Sequence, residues 1–146
     1  MKYLFSPLDK HSDFGFGVIG DSFEKAAINL SEAERMQIGT HSQFPINFLY
    51  RHAVELYLKS CITNIQRHLN GGMVAIEDLK IGAKGRPIAN THSIKSLFEH
   101  YKTLVTTRKD EIEKEGRTKW SEIPGDLSGL IEIIESHDSR STYFRY

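Results

Sequence analysis

The sequence predicts an all-α fold, a four-to-five-helix bundle with a long connection between the second and third helices. Apolar residues recur at spacings of three and four in four separate stretches, the signature of helices with one buried face. Glycine-containing breaks separate those stretches. The length of 146 residues suits a single domain, 1–146, and is enough to bury a core.

Residues 1–20 are rich in Gly, Pro and Phe and read as an irregular N-terminal segment. Asp21 is a good N-cap, and Glu24 stands where a capping box places its acid. Phe23, Ala26, Ala27, Leu30, Ala33 and Met36 form the first stripe, and Gly39 suits the position just past a helix end. Pro45 suits the start of a second helix. That helix runs to about Leu69 and stops at Asn70-Gly71-Gly72, with Arg67 and His68 in its last turn, where positive charge is favoured.

Residues 73–90 form the connection, with room for a short hairpin around Gly82, Gly85 and Pro87; a loop this long in a small domain is commonly functional or disordered. Thr91 or Ser93 caps a third helix carrying Ile94, Leu97, Phe98, Tyr101, Leu104 and Val105, and the polar stretch 109–115 extends it to Gly116. Ser121 or Asp126 starts a fourth, with Leu127, Leu130, Ile131, Ile133 and Ile134 as its apolar face. Residues 138–146 alternate and are aromatic, and read as an extended tail docked on the bundle.

Lys+Arg and Asp+Glu are equal at 19 each, so no global charge draws the chain to nucleic acid or membrane. Local charge is segregated. Lys80, Lys84, Arg86 and Lys95 have no acid among them, and Glu122, Asp126, Glu132, Glu135 and Asp138 have no base. The pattern reads as two complementary surfaces of one domain, or as a basic loop that meets a phosphate backbone. The single cysteine, Cys61, allows no disulfide framework and suits a reducing compartment; it reads as a small core residue. The opening Met1-Lys2-Tyr3-Leu4-Phe5 is broken at once by Ser6-Pro7, unlike a signal peptide, and no apolar run approaches the roughly 20 residues of a membrane span. A cytoplasmic protein is expected.

Gly15-Phe16-Gly17-Val18-Ile19-Gly20 matches a dinucleotide fingerprint by spacing, but that fingerprint needs a strand before it and a βαβ unit around it. Here a polar stretch precedes it and a second helix follows, so it reads as a flexible lead-in to the first helix. Asp13-Phe14-Gly15 is similar to a kinase motif in a chain without the other kinase parts. Seven histidines include no His-Glu-x-x-His and no paired Glu-x-x-His. His52 and Glu55 share a helix face, but two ligands do not make a site, and neither metal nor cofactor is expected.

The second helix is the informative element. At about 100° per residue, Ile46, Leu49, Tyr50, Ala53, Val54, Leu56, Tyr57 and Leu58 cover most of its circumference. Arg51, His52, Glu55 and Lys59 fall together in one arc, into which Phe48 and Ile62 intrude. A helix this apolar sits centrally in a bundle, so its charges are at least half buried and need partners. Arg51–Glu55 and Glu55–Lys59 are both i, i+4 pairs. Two readings stay open. One is a solvated ladder worth only about 0.3–0.5 kcal/mol per pair. The other is a semi-buried cluster in which Glu55 fixes both cations and His52 faces a cleft, while Asp138, Arg145 and His92 complete it.

Phe48-Leu49-Tyr50-Arg51-His52-Ala53-Val54-Glu55-Leu56-Tyr57-Leu58-Lys59 resembles the "YRHAxELxLK" helix of small prokaryotic HEPN-like proteins. Thr91-His92-Ser93-Ile94-Lys95-Ser96-Leu97 resembles their following "His-x-Leu" helix start, and the tail ending Phe144-Arg145-Tyr146 resembles their "FRYP" tail. The matches fall in the right order over residues 48–146. The resemblance implies an all-helical bundle, frequent dimerisation, and a role in toxin–antitoxin or antiphage systems. Many members are metal-independent ribonucleases with Arg and His four to six residues apart. Arg35 with His41, and Arg86 with His92, have such spacing. Arg35 is followed by apolar Met36, however, and Gly39 separates the pair from its helix, so the chain departs from the motif in its usual helical context.

Two functions of different class follow. In an endoribonuclease, His52 is the base for the 2′-hydroxyl, Arg51 and Lys59 bind phosphate, and Glu55 orients them. Arg86, His92 and Arg145 then supply further phosphate contacts, and a homodimer shares the cleft. In a non-catalytic module, the chain dimerises or docks on a protein partner from a defence system. The stripe, joined by Asp138, is then structural and holds the tail.

Overall fold

The computed structural model describes residues 7–35, 43–72, 74–116 and 122–137. The expectations for Met36, Gly39, His41, Ser121, Asp138, Arg145 and the docked tail lie outside the described residues.

Helices α1 (Phe16–Arg35) and α2 (Gln43–Leu69) form an antiparallel pair. Their contacts run in opposite chain directions: Gly17 lies by Ser60, Gly20 by Tyr57, Phe23 by His52, and Glu34 bonds Gln43. α1 starts five residues before Asp21, so the irregular segment is shorter than expected. Asp13 is the reason. Its carboxylate accepts from the backbone N–H of Gly15 (3.0 Å) and Gly17 (2.7 Å), satisfying donors that the first turn leaves open. Ser60 donates its hydroxyl to the same carboxylate at 2.5 Å, which fastens the start of α1 to α2. Burial pushes the Asp13 carboxyl up, but the bonds from Ser60, Gly17 and Gly15 outweigh it and hold it below the usual carboxylate range.

Asp21 and Glu24 therefore sit inside α1 and form no capping box. Both turn to the Tyr57 hydroxyl, at 2.9 and 2.7 Å. Partial burial and the two flanking carboxylates push that phenol well above its ordinary range.

The glycines of the Gly-x-Gly-x-x-Gly run stand where a side chain would be crowded or strained. Gly15 has φ +83°, a Cβ on Gly17 would stand 2.9 Å from the Asp13 carboxylate, and one on Gly20 would stand 3.1 Å from the Tyr57 ring. The anion position at this helix start is filled by the chain's own Asp13.

The connection after α2 folds on itself. A single 3-10 turn (Ile76–Asp78) leads into an antiparallel hairpin of β1 (Lys80–Ile81) and β2 (Arg86–Pro87), with Lys80 opposite Pro87 and Ile81 opposite Arg86. A second 3-10 turn (Ile88–Asn90) then leads to α3 (Ile94–Thr107). Ser93 is the N-cap of α3: its hydroxyl accepts from Ser96 N–H at 3.1 Å. The polar stretch does not extend α3. Arg108 (φ −115°, ψ 24°) breaks the helix, and Lys109–Gly116 forms a separate α4. α5 (Leu127–His137) packs on α3.

The core has two parts. Ile62, Leu79, Ile81, Ile88 and Leu97 join the connection to α2 and α3. Ile94, Phe98 and Ile131 join α3 to α5, flanked by Val54, Leu58, Leu127 and Ile134. Several apolar expectations fail. Leu30 on α1 and Tyr50 on α2 are 37 % and 40 % exposed. Cys61 is exposed, one position from fully buried Ile62. Leu130 and Ile133, expected on the buried face of α5, are 51 % and 59 % exposed. α5 meets the core on one side only, through Leu127, Ile131 and Ile134, which leaves those two on the other. Among the described residues no helix is long and apolar enough to cross a membrane.

Asp13→Ala should lower stability by about 1–3 kcal/mol, through loss of the cap and of the Ser60 partner. A double-mutant cycle with Ser60→Ala, read by chemical denaturation, should give a coupling of at least about 0.5 kcal/mol. Simple additivity would mean that the Asp13–Ser60 contact does not help to tie the N-terminal loop to α2.

Candidate polar site on the second helix

Arg51, Glu55 and Lys59 stand one turn apart on α2, and the structure brings them together as the buried-cluster reading expects. Glu55 is fully buried, while Arg51 and Lys59 are 4 % and 3 % exposed. Arg51 Nη1 lies 3.3 Å from Glu55 Oε2, and Lys59 Nζ lies 2.9 Å from Oε1. The solvated-ladder reading is set aside by these burials.

Two buried cations around one carboxylate leave a net positive charge away from water, and burial of charge is tolerated only with further partners. The segment before α3 supplies them. Arg51 Nη2 donates to the His92 carbonyl at 2.9 Å, and Lys59 Nζ donates to the Ala89 carbonyl at 3.2 Å. Lys59 also stands over the Phe16 ring of α1, 5.8 Å from its centroid. Residues 88–92 thus form a strap across the charged stripe. Apolar Ile88, fully buried, and Thr91, whose hydroxyl donates to Pro87 carbonyl at 3.0 Å, press it down.

His92 completes the cluster from the strap. Its Nδ1 lies 3.0 Å from Glu55 Oε1, while 44 % of its side chain remains exposed. Beside an ionised carboxylate, Nδ1 carries the proton and donates it, leaving Nε2 as the ring's other polar atom. Burial pushes the Glu55 carboxyl up, but the Lys59 ammonium and the bonds from Lys59 and His92 outweigh it and hold Glu55 below its ordinary value.

His52 shares the arc but is held differently. Its Nδ1 is 4.0 Å from Glu55 Oε2, beyond hydrogen-bond reach. The ring stacks on Phe48 (5.8 Å, 7°), takes Phe23 at an edge (4.4 Å, 82°), and is 22 % exposed. Arg86 is exposed on β2 and forms no ion pair among the described residues. Asp138 and Arg145 lie outside those residues. Among the described residues no three His, Cys, Asp or Glu side chains converge as metal ligands would.

The acidic segment does reach the basic one, but not charge to charge. Glu135 on α5 accepts from the Ser93 hydroxyl (2.7 Å) and from Lys95 N–H (3.3 Å), so it serves the start of α3. Sequence reasoning missed the Ala89 and His92 carbonyls and the Phe16 and Phe23 rings. Every residue has a carbonyl, so no residue type marks the two that matter.

Glu55→Gln should cost about 3–5 kcal/mol, because both cations lose their counter-ion in a buried place. The pH dependence has a definite sign. Glu55 is held below its ordinary 4.5, so its contribution is present above that pH and is lost as pH falls through the lower folded value. Thermal melts from pH 7 to pH 3 should therefore fall less steeply in acid for Glu55→Gln than for the wild type. Parallel curves would mean that Glu55 titrates as it does in the unfolded chain.

Set against protein-family models, curated proteins and solved structures, the chain matches none of them.

Proposed function

We propose that this chain is a HEPN-like helical module of a prokaryotic defence or toxin–antitoxin system, and that it acts by docking onto a partner rather than by cutting RNA. One observation carries the choice. The two cations best placed to serve as phosphate ligands, Arg51 and Lys59, are almost wholly buried, and they already hold Glu55 and the carbonyls of His92 and Ala89. A side chain that binds a transition state must be able to reach it. In this arrangement the stripe works as architecture, fastening the strap, and with it the hairpin, to α2. The all-α bundle, the "YRHAxELxLK"-like helix and the strap that begins α3 support the HEPN-like part of the reading.

A second reading, metal-independent RNA cleavage, draws on a different atom set. His92 is exposed, and its Nδ1 is anchored by a buried carboxylate, the arrangement by which an acid fixes the tautomer of a general base. It would use His92 with exposed Arg86 nearby in sequence, rather than His52 with Arg51 and Lys59.

The two readings separate in one experiment. Purified protein incubated with labelled RNA in EDTA should leave the RNA intact. Arg51→Ala should lose stability by about 3–5 kcal/mol, whereas His92→Ala, at a half-exposed position, should lose less, about 1–3 kcal/mol for its bond to Glu55. Cleavage that is abolished by His92→Ala, in a variant that stays folded at the assay temperature, would replace the docking reading with the catalytic one.

A further inference from the structure

A cavity of about 280 Å³ opens between the end of α2, the residues that lead into β1 and the end of α3, apart from the charged stripe. Its walls are apolar: Leu79 is buried, and Leu69, Val74 and Leu104 are half-buried around the open space. Clefts that hold drug-sized ligands run from about 300 to 1,000 Å³, so this one suits a smaller molecule. Apolar side chains around an open cavity leave area in water that an apolar body would cover.

Two opposite charges line the same cavity without pairing. Asp78 and Lys80 are both exposed, and neither side chain forms an ion pair or hydrogen bond among the described residues. Lys84, Arg86 and Lys95 are likewise exposed without an ion pair among those residues, but they do not line the cavity. Arg108 lines it as well. Its Nε and Nη2 are both held by Glu111 at 2.7 Å, which leaves Nη1 as its remaining donor group.

The charges around the cavity balance. Lys80 offsets Asp78, and Glu111 offsets Arg108, so no net field draws in an anion or a cation. Leu69 is the last residue of α2, whose dipole places partial negative charge at that end. At Arg108 the end of α3 and the start of α4 oppose one another. A phosphate dianion would be repelled by Asp78 and by the end of α2. A ligand without net charge, carrying both signs close together on an apolar body, satisfies every group. Its ammonium meets Asp78, its carboxylate meets Lys80 and Arg108 Nη1, and its side chain replaces water among Leu69, Val74, Leu79 and Leu104.

We infer that this cavity is a binding site for a free α-amino acid with an apolar side chain, of the size of leucine or phenylalanine. The inference stands apart from the docking reading, because the cavity shares no residue with the buried stripe or the strap.

The test is calorimetric titration of the full chain with L-leucine and L-phenylalanine. Saturable binding of one molecule per chain is expected, with a rise in melting temperature as ligand is added. N-acetyl-L-leucine, which lacks the ammonium, and L-leucinamide, which lacks the carboxylate, should each bind about tenfold more weakly or worse. Glycine, with no side chain to bury, should also bind more weakly. Asp78→Asn should weaken L-leucine about tenfold or more, and Lys80→Gln severalfold. Both variants should melt like the wild type without ligand, since neither side chain bonds within the described fold.

No saturable binding of either amino acid at millimolar concentration overturns the inference. So does N-acetyl-L-leucine that binds as tightly as L-leucine, or binding indifferent to Asp78→Asn. Equal binding of L-leucinamide and L-leucine overturns it in favour of the N-terminal residue of a peptide. Adenosine monophosphate binding more tightly than L-leucine overturns it in favour of a nucleotide. None of these results depends on the EDTA cleavage assay, so failure of the amino-acid site and failure of the docking reading remain distinguishable.

Discussion

The fully buried carboxylate of Glu55 is the constraint on which the rest of the bundle depends. Removing an ion from water costs several kcal/mol even after relaxation, and α2 removes three within two turns. One carboxylate cannot satisfy two cations alone. The remaining donors of Arg51 and Lys59 require acceptors, and the described acceptors are the carbonyls of His92 and Ala89. The path of the strap is therefore dictated by charges on a helix thirty to forty-one residues earlier. Once the strap is set, Ile88 falls into the cluster with Ile62, Leu79, Ile81 and Leu97, and the hairpin follows. A polar requirement thus places an apolar core.

The same logic recurs on other parts of α2. Ser60 holds Asp13, and Tyr57 holds Asp21 and Glu24. Arg67 reaches the carbonyls of His11 (3.1 Å) and Ser12 (2.9 Å) while its guanidinium lies 4.5 Å from the Phe14 ring centroid. Apolar packing alone lets two helices slide by a turn at small cost, whereas these bonds have lengths and directions. Together they fix the register of α1 and its preceding loop along α2. The three glycines near the start of α1 are part of this fit: Gly17 gives the Asp13–Ser60 pair its room, and Gly20 lets α1 approach the Tyr57 ring.

The sequence revealed those features whose cause is local. Helical spacing located α2, α3 and α5, and the i, i+4 arrangement of Arg51, Glu55 and Lys59 was visible because a helix turns every 3.6 residues. Ser93 as a cap was legible for the same reason. What stayed hidden depends on a distant partner. Asp21 has every local mark of an N-cap, yet Asp13 starts the helix earlier because Ser60, 47 residues away, stabilises its carboxylate there. Cys61 sits in an apolar run and is exposed, since the run's period places its neighbour Ile62 inward. Leu130 and Ile133 read as core because apolarity along α5 does not say how many sides a neighbour covers. His92 was anticipated near the stripe, but nothing in its residue type announced that its own carbonyl would hold Arg51.

The energetics of the stripe bear on function as well as on folding. For Lys59 or Arg51 to bind a phosphate it must first leave Glu55, and breaking a buried pair costs about 3–5 kcal/mol, a factor of about a hundred to several thousand in any equilibrium. A phosphate would have to repay that cost before contributing any net affinity. An exposed lysine of the hairpin has no such debt. His92 stands across the boundary, with one nitrogen on the buried carboxylate and nearly half its side chain exposed. The geometry thus separates two kinds of charge in one chain: a buried set whose partners are the fold itself, and a surface set at Lys80, Lys84, Arg86 and Lys95 that remains available to something else. Recognition is more economically carried by the second set, because it can change partners without unfastening the strap.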